Sequence, residues 1–149
     1  MKLNLRTVGL VFAGGAIGTL LRWATGLNIP DELASLAAVN IVGSAVIGWL
    51  NSDPRFASDG KRAFWAVGFA GGFTTMSGVA LLTSKGIIFV LGSASSVADL
   101  FSSGPLTFFG LIYAIFAASL LAYWGAHALT ARLTGNEAVV SHEVEEVTE

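Results

Sequence analysis

The segment Gly68–Gly78, with the sequence GFAGGFTTMSG, interrupts an apolar run with residues that could hold a small cation. Gly71 and Gly72 permit backbone dihedrals outside the helical range, so a helix break is expected there. Non-helical backbone survives at membrane depth only where protein buries it or a cavity solvates it. A break exposes carbonyl oxygens, which coordinate ions such as Na⁺ in broken-helix transporters. A packing-driven kink without an ion explains the same residues equally well.

Other polar side chains lie inside apolar segments and could line a path for an ion. They are Arg22, Asn40, Ser44, Thr74, Thr75, Ser77, Tyr113 and Ser119. Polar groups at membrane depth usually mark a pathway, although Ser and Thr can also bond to their own helix. Asn40 is the stronger candidate because its amide needs several partners. Since no Asp or Glu lies deep in an apolar segment, the residues favour passive movement of a small anion over proton-coupled transport.

Four apolar segments are long enough to place these residues in a membrane. The chain has 149 residues, of which 54% are hydrophobic and 12% charged, as is typical of membrane proteins. A spanning helix needs roughly 20 apolar residues. The predicted spans are 7–25, 32–50, 63–91 with the break inside it, and 106–129, after a polar linker at 93–104. Tryptophans fall near the predicted ends at Trp23, Trp49, Trp65 and Trp124.

Small residues at four-residue spacing predict close helix packing. Gly14 and Gly18 form such a pair in the first span, and Ser44 and Gly48 form another in the second. In lipid, where the hydrophobic effect does not drive helix association, small residues let backbones approach each other. Four helices leave little room for an internal path, so we expect an oligomer whose interface forms one.

The basic residues predict one orientation in the plasma membrane. Lys2, Arg6, Arg55, Lys61, Arg62 and Arg132 fall on the side of the termini and the central loop, and Lys85 at most falls on the other. This bias predicts a multi-pass protein with both termini cytoplasmic. Residues 133–149 carry five glutamates and no Lys or Arg. We therefore expect a channel body at 1–132 and an acidic, disordered tail at 133–149.

Several function classes lack the residues they need. The chain has no cysteine, so disulfides and thiolate metal sites are excluded. His127 and His142 have no second ligand at metal-binding spacing. The sequence contains no nucleotide-binding motif and no nucleophilic triad. Neither an enzyme nor a nucleic-acid-binding protein is expected.

Three motifs together resemble the Fluc (CrcB) fluoride channel family. Gly14–Arg22 (GGAIGTLLR) is similar to its GGxxGxxxR motif, Val39–Ser44 (VNIVGS) to VNxxGS, and Gly71–Ser77 (GGFTTMS) to GGxTTFS. The resemblance covers residues 7 to about 82 and the fourth span loosely. It implies an all-α integral membrane fold of four helices with a broken third helix. It also implies an antiparallel two-subunit assembly with paired pores that exports fluoride passively.

The resemblance also implies roles for individual residues. Backbone carbonyls of Gly71 and Thr74 would bind a structural Na⁺ at the break, Asn40 would donate to fluoride, and Arg22 would line a vestibule. The other pore candidates are Ser44, Thr75, Ser77 and Tyr113. The expected partners are fluoride, membrane lipid and a second family subunit in the opposite orientation.

The sequence departs from the family at pore positions. The family motif continues as TTFSTF, with two phenylalanines whose positive ring edges face fluoride, and here Met76 and Val79 stand there. In the fourth span a polar track of a tyrosine and two serines is reduced to Tyr113, followed by Ala117 and Leu121. The alignment is loose there, and Ser119 or Tyr123 could substitute.

These departures predict that a homodimer conducts poorly, since burying an unpaired anion is prohibitive. A fixed orientation also disfavours an antiparallel homodimer. We therefore expect a heterodimer with a related subunit that retains the phenylalanines. Two alternatives stay open: a homodimeric fluoride channel with a rearranged pore, and a non-conducting structural or regulatory subunit.

Overall fold

The computed structural model describes the backbone of residues 4–93 and 103–147. It describes the side chains of residues 4–88 and 108–135. The first two helices are α1 (Leu5–Asn28) and α2 (Glu32–Ser52). Each begins at a capping side chain: Asn4 accepts from the Thr7 backbone N–H at 2.8 Å, and Asp31 accepts from Ala34 at 2.7 Å. The last helix, α5, runs over Ser103–Val147.

The third span consists of two helices. The first, α3, starts as Asp59–Lys61, continues as a π-helical segment at Arg62–Ala70 and ends with Gly71–Phe73. The second, α4, covers Met76–Ser93. Four stretches are long and apolar enough to cross a membrane: Leu5–Asn28, Glu32–Ser52, Asp59–Ile88 and Phe108–Gly135. The prediction of a four-span membrane protein with a broken third helix is therefore confirmed.

The break lies at Thr74 and Thr75 and begins two residues beyond the glycine pair. Thr74 is extended, with φ −75° and ψ 160°, whereas Gly71 is helical, with φ −65° and ψ −34°. Among the described residues no glycine has a positive φ. The expectation that Gly71 and Gly72 supply unusual dihedrals is therefore wrong. Gly72 instead allows close packing, because a Cβ there would lie 2.5 Å from the Gly15 carbonyl oxygen.

Glycines on both partners bring α1 and α3 into backbone contact. A side chain at Gly14 or Gly18 would collide with the backbone of Phe64 or Phe69 on α3. On α3 a Cβ at Gly68 would lie 2.6 Å from the Val11 carbonyl oxygen. The predicted close packing at Gly14 and Gly18 is confirmed, and Gly68 and Gly72 contribute to the same contact from α3, which the sequence pattern did not indicate.

The α2 helix also packs closely against α5 through a glycine. A Cβ at Gly48 would meet the Tyr123 backbone on α5, which confirms the close packing predicted around Ser44 and Gly48. The few buried apolar side chains of the described region include Leu36, Val39 and Leu50 on α2. Many large apolar side chains face outward instead, among them Phe12 at 78% and Leu121 at 72% exposure. Such a surface suits contact with lipid or another subunit.

The last helix extends into the segment that was predicted to be a tail. The backbone of α5 is helical to Val147, through most of the segment expected to be a disordered tail. The division into a body at 1–132 and a tail at 133–149 stays a prediction. Most of the predicted linker, residues 94–102, lies outside the described residues.

A methyl group at Gly18 should destabilise the fold, since the neighbouring atoms belong to the Phe69 and Phe73 backbone and cannot rotate away. We expect Gly18→Ala to cost about 1–3 kcal/mol, the usual range for overpacking. The thermal unfolding midpoint of the purified protein in detergent measures the loss. Gly9→Ala is the matched control on the same helix, because a Cβ there meets nothing within 4 Å. Equal losses in the two variants would contradict the packing argument.

Candidate functional site

The helix break is held by side chains from two neighbouring helices. Asn40 reaches it from α2. Its side-chain oxygen accepts from the Thr75 backbone N–H at 3.0 Å, and its nitrogen donates to the Leu36 carbonyl at 3.0 Å. The same nitrogen lies 3.5 Å from the Thr75 carbonyl oxygen. Asn40 thus replaces helical partners that the break has removed.

The hydrogen bond from the Thr75 N–H to Asn40 changes the environment of the Gly71 carbonyl. In a continuous helix the Thr75 N–H would donate to the carbonyl of Gly71, four residues earlier. Because Asn40 takes that N–H, the Gly71 carbonyl loses its helical partner. Gly71 is exposed, and nothing lies within 4 Å of a Cβ built on it. The oxygen predicted to bind a cation is therefore released from the helix.

Arg22 reaches the break from α1. Its Nη1 donates to the Thr74 carbonyl oxygen at 3.2 Å. That carbonyl has also lost its helical donor, since the Gly78 N–H instead donates to the Thr75 side-chain oxygen at 2.9 Å. The guanidinium lies at the C-terminal end of α3, where the helix dipole favours a positive charge. Arg22 therefore donates to the Thr74 carbonyl, which is one of the two carbonyls that were predicted to bind Na⁺.

Thr75 and Ser77 form the start of α4. The Thr75 hydroxyl oxygen accepts from Gly78 and lies 3.1 Å from the Ser77 hydroxyl oxygen. This is the geometry of a helix N-cap. The Thr74 hydroxyl bonds back to the Ala70 carbonyl at 2.9 Å. The hydroxyls of the GGFTTMS segment thus form hydrogen bonds at the two helix ends that meet at the break.

A cleft of about 180 Å³ opens between α2, α4 and α5. Its polar lining includes Asn40, Ser44, Thr74 and Ser119, beside Met76, Val79 and Phe116. The Ser119 hydroxyl donates to its own helix at Ile115, at 2.8 Å. Among the described residues the Ser44 hydroxyl has no hydrogen-bond partner, so it is available as a donor. The structure therefore brings two of the predicted pore residues, Asn40 and Ser44, to one cleft.

A second cleft of about 260 Å³ lies on the other side of the break. Arg22, Ser35 and Thr75 contribute polar groups to it. Glu32 and Lys85 also line it and form an exposed ion pair at 2.9 Å. The sequence gives no local signal for this pair, because its partners are 53 positions apart in the chain. Arg22 lines this open cleft, and its role in a vestibule stays a prediction.

The predicted polar track on the last helix faces away from both clefts. Tyr113 is 73% exposed and Leu121 is 72% exposed, and Ala117 lies on the same exposed face. The face toward the first cleft carries Ile112, Ile115, Phe116 and Ser119 instead. Sequence analysis did not identify Phe116, since the spacing of apolar residues does not tell which face of α5 meets α2. Ser119, considered as a substitute, lies in the cleft.

Comparison with known proteins places these motifs in a family. A family model described as "CrcB-like protein, Camphor Resistance (CrcB)" matches residues 9–127. The chain is 35% identical over 135 residues to "Fluoride-specific ion channel FluC" of Pseudomonas fluorescens (strain SBW25). That match covers 84% of this chain and 97% of the relative. No solved structure gives a significant match.

Other curated relatives match over a shorter stretch. "Fluoride-specific ion channel FluC 1" of Corynebacterium glutamicum is 37% identical over 71 residues, which cover 48% of this chain and 65% of the relative. "Fluoride-specific ion channel FluC" of Bacteroides fragilis (strain YCH46) is 39% identical over 80 residues, which cover 47% of this chain and 63% of the relative. The chain thus spans under two thirds of the length of these two relatives.

The bond between Asn40 and the break predicts a local loss of protection when the amide is removed. We expect Asn40→Ala to speed hydrogen exchange at the Thr75 amide by about fivefold, since a hydrogen bond contributes about 1 kcal/mol. The exchange rate is measured by hydrogen–deuterium exchange of peptides that cover residues 71–80. The matched control is Asn28→Ala, which removes an amide bonded to its own helix at Ala24. Unchanged exchange at the break in Asn40→Ala would contradict the assigned role.

Proposed function

This chain belongs to the CrcB family, and we propose that it is one subunit of a passive, fluoride-selective channel that exports fluoride from the cell. One observation carries the proposal. Arg22, Asn40 and the Thr74–Thr75 break come from three separate segments, and they meet at one point between two open clefts. A path for a small anion needs such an arrangement of donors at membrane depth. Among the described residues, Glu32 is the one carboxylate that lines either cleft, and it is exposed and paired with Lys85. The relative that matches over nearly its whole length carries the name of a fluoride channel.

We further propose that the chain works with a related subunit of opposite orientation. Met76 and Val79 line the cleft and offer no aromatic edge to an anion. Ser44 is the hydroxyl of that cleft with no partner among the described residues, and Asn40 is engaged with backbone. One chain therefore provides few donors to replace the hydration shell of fluoride. The excess of basic residues on one side supports a single orientation, with both termini cytoplasmic in the plasma membrane.

A rearranged homodimeric pore is the second candidate, and Phe116 favours it. Its ring is 63% exposed and lines the same cleft as Met76 and Val79. A ring edge carries partial positive charge and can face an anion. The third candidate, a non-conducting structural subunit, draws support from the engagement of Asn40 with the backbone.

A structural Na⁺ at the break forms part of the proposal. The Gly71 and Thr74 carbonyls fit a cation, since both have lost their helical donors. A carbonyl oxygen has two lone pairs, so Thr74 can accept from Arg22 and still offer an oxygen to a metal. Two carbonyls are few for a metal ion, which supports a shared site completed by the break of a second subunit. Bound there, Na⁺ would hold the two breaks together.

Fluoride efflux from liposomes, followed with a fluoride electrode, tests the channel and its composition. We expect the chain alone to release fluoride at least about tenfold more slowly than the chain purified with a related subunit from the same genome, because anion desolvation is poorly compensated. Rapid efflux from the chain alone would support the homodimer, and Phe116→Leu should then slow it. Absence of efflux from both samples, despite folded protein, would contradict the channel proposal.

The cation proposal predicts that Na⁺ stabilises the assembled protein. We expect the unfolding midpoint to rise with NaCl compared with choline chloride at equal ionic strength, since a ligand of the folded state stabilises it. Removing the nearby charge in Arg22→Gln should tighten the apparent Na⁺ affinity by about tenfold. Arg132→Gln, far along α5, is the control for net charge. Identical midpoints in the two salts would contradict a bound Na⁺.

A further inference from the structure

The loop between α2 and α3 is built around one buried carboxylate. Asp53 is 2% exposed and accepts from the Arg55 side chain at 2.7 and 3.0 Å and from its backbone N–H at 2.9 Å. The Arg55 guanidinium holds the pKa of Asp53 below its usual value. Asp53 also caps the short turn Pro54–Phe56. This ion pair neutralises its own two charges and fixes the loop.

Three other cations at this end of the molecule have no carboxylate partner among the described residues. Lys61 donates to the Arg55 carbonyl at 2.8 Å, which positions its ammonium group and leaves two of its protons free. Arg62 lies 3.5 Å from the Asn51 side-chain oxygen, a weak contact that leaves most of its donors available. Arg6 is exposed one turn before Leu10, whose side chain neighbours Gly60. Asp59 is the one exposed acid in this loop, so the patch stays positive.

Aromatic rings below these cations mark the depth of the patch. Trp49 packs edge-to-face on Phe56 at 5.3 Å, and Phe56 packs on Trp65 at 6.5 Å. Both tryptophans remain about 40% exposed, at 40% and 39%. Tryptophan rings with this partial exposure favour the headgroup layer of a bilayer. The Lys61 Nζ lies 5.9 Å from the centroid of the Phe56 ring, which places this cation near the level of lipid phosphates.

We propose that Arg6, Lys61 and Arg62 form a binding site for the headgroup of an anionic phospholipid. A guanidinium can bind a phosphate through two parallel hydrogen bonds, and the Lys61 ammonium adds a second charge from a fixed position. The exposed tryptophans contact the acyl chains of the same lipid. The site serves to anchor this end of the chain in one leaflet, and it does not depend on the channel function.

The geometry favours a lipid over a free anion. A soluble phosphate could use the cations but not the tryptophans, whereas a lipid uses both. Juxtamembrane basic residues each contribute about 1 kcal/mol to binding of an anionic lipid surface, which corresponds to about fivefold in affinity.

The test uses the full chain in dodecyl maltoside and follows thermal unfolding by tryptophan fluorescence. Dioleoyl phosphatidylglycerol is titrated into the micelles, with dioleoyl phosphatidylcholine and inorganic phosphate as separate comparisons. Of these three additives, we expect only phosphatidylglycerol to raise the midpoint of thermal unfolding. The double variant Lys61→Gln with Arg62→Gln should bind it about 25-fold more weakly, at about fivefold for each cation.

Two control variants separate charge from folding. Lys61→Arg with Arg62→Lys keeps both charges and should bind the lipid within about threefold of the unmodified chain. Lys85→Gln removes one charge at the opposite end and should leave the lipid response unchanged. Equal stabilisation by phosphatidylcholine or by inorganic phosphate would overturn the proposal. So would an unchanged response of the double glutamine variant.

Discussion

Every backbone polar group inside a membrane must find a partner within the protein, and the break at Thr74 and Thr75 is where this chain must satisfy that rule by side chains. Asn40 bonds the Thr75 N–H, Arg22 bonds the Thr74 carbonyl, and the Thr75 hydroxyl bonds the Gly78 N–H. Each of these groups would have a helical partner in an unbroken span. The break therefore fixes the relative positions of α1, α2 and α4, because a shift of any one helix would leave a polar group unpaired at high cost.

The glycines make this arrangement possible. Gly14 and Gly18 on α1 meet the backbone of α3, and Gly68 and Gly72 on α3 meet the backbone of α1, so that the two backbones approach more closely than side chains would allow. The same close approach brings Arg22, one turn after Gly18, to the end of α3. The α2 helix is held in turn against α5 through Gly48. Packing and site are thus consequences of one set of small residues.

The Asn40 and Arg22 bonds also link structure to ion chemistry. Asn40 accepts from the Thr75 N–H and so leaves the Gly71 carbonyl without its helical donor, whereas Arg22 donates to the Thr74 carbonyl. They also separate two clefts, one lined by Arg22 and one by Ser44, Met76 and Phe116. Asn40 and Arg22 both support the broken backbone and line a cleft, whereas Met76 and Phe116 line a cleft and make none of these bonds. A chain can therefore keep the break while the rest of the ion path changes.

Local sequence patterns were sufficient to predict the membrane class, the four spans, the interruption of the third span and the close packing at Gly14 and Gly18. Hydropathy and small-residue spacing are local properties, and lipid leaves a chain few other ways to satisfy its backbone. The tertiary structure decided which residue adopts the extended conformation, which carbonyls Asn40 and Arg22 release or bind, and which face of α5 lines a cleft. Tyr113, Ala117 and Leu121 have regular helical spacing, yet Phe116 and Ser119 face α2. That outcome depends on the rotation of α5 against Gly48 on α2, a contact between residues far apart in the chain, and no local pattern encodes it.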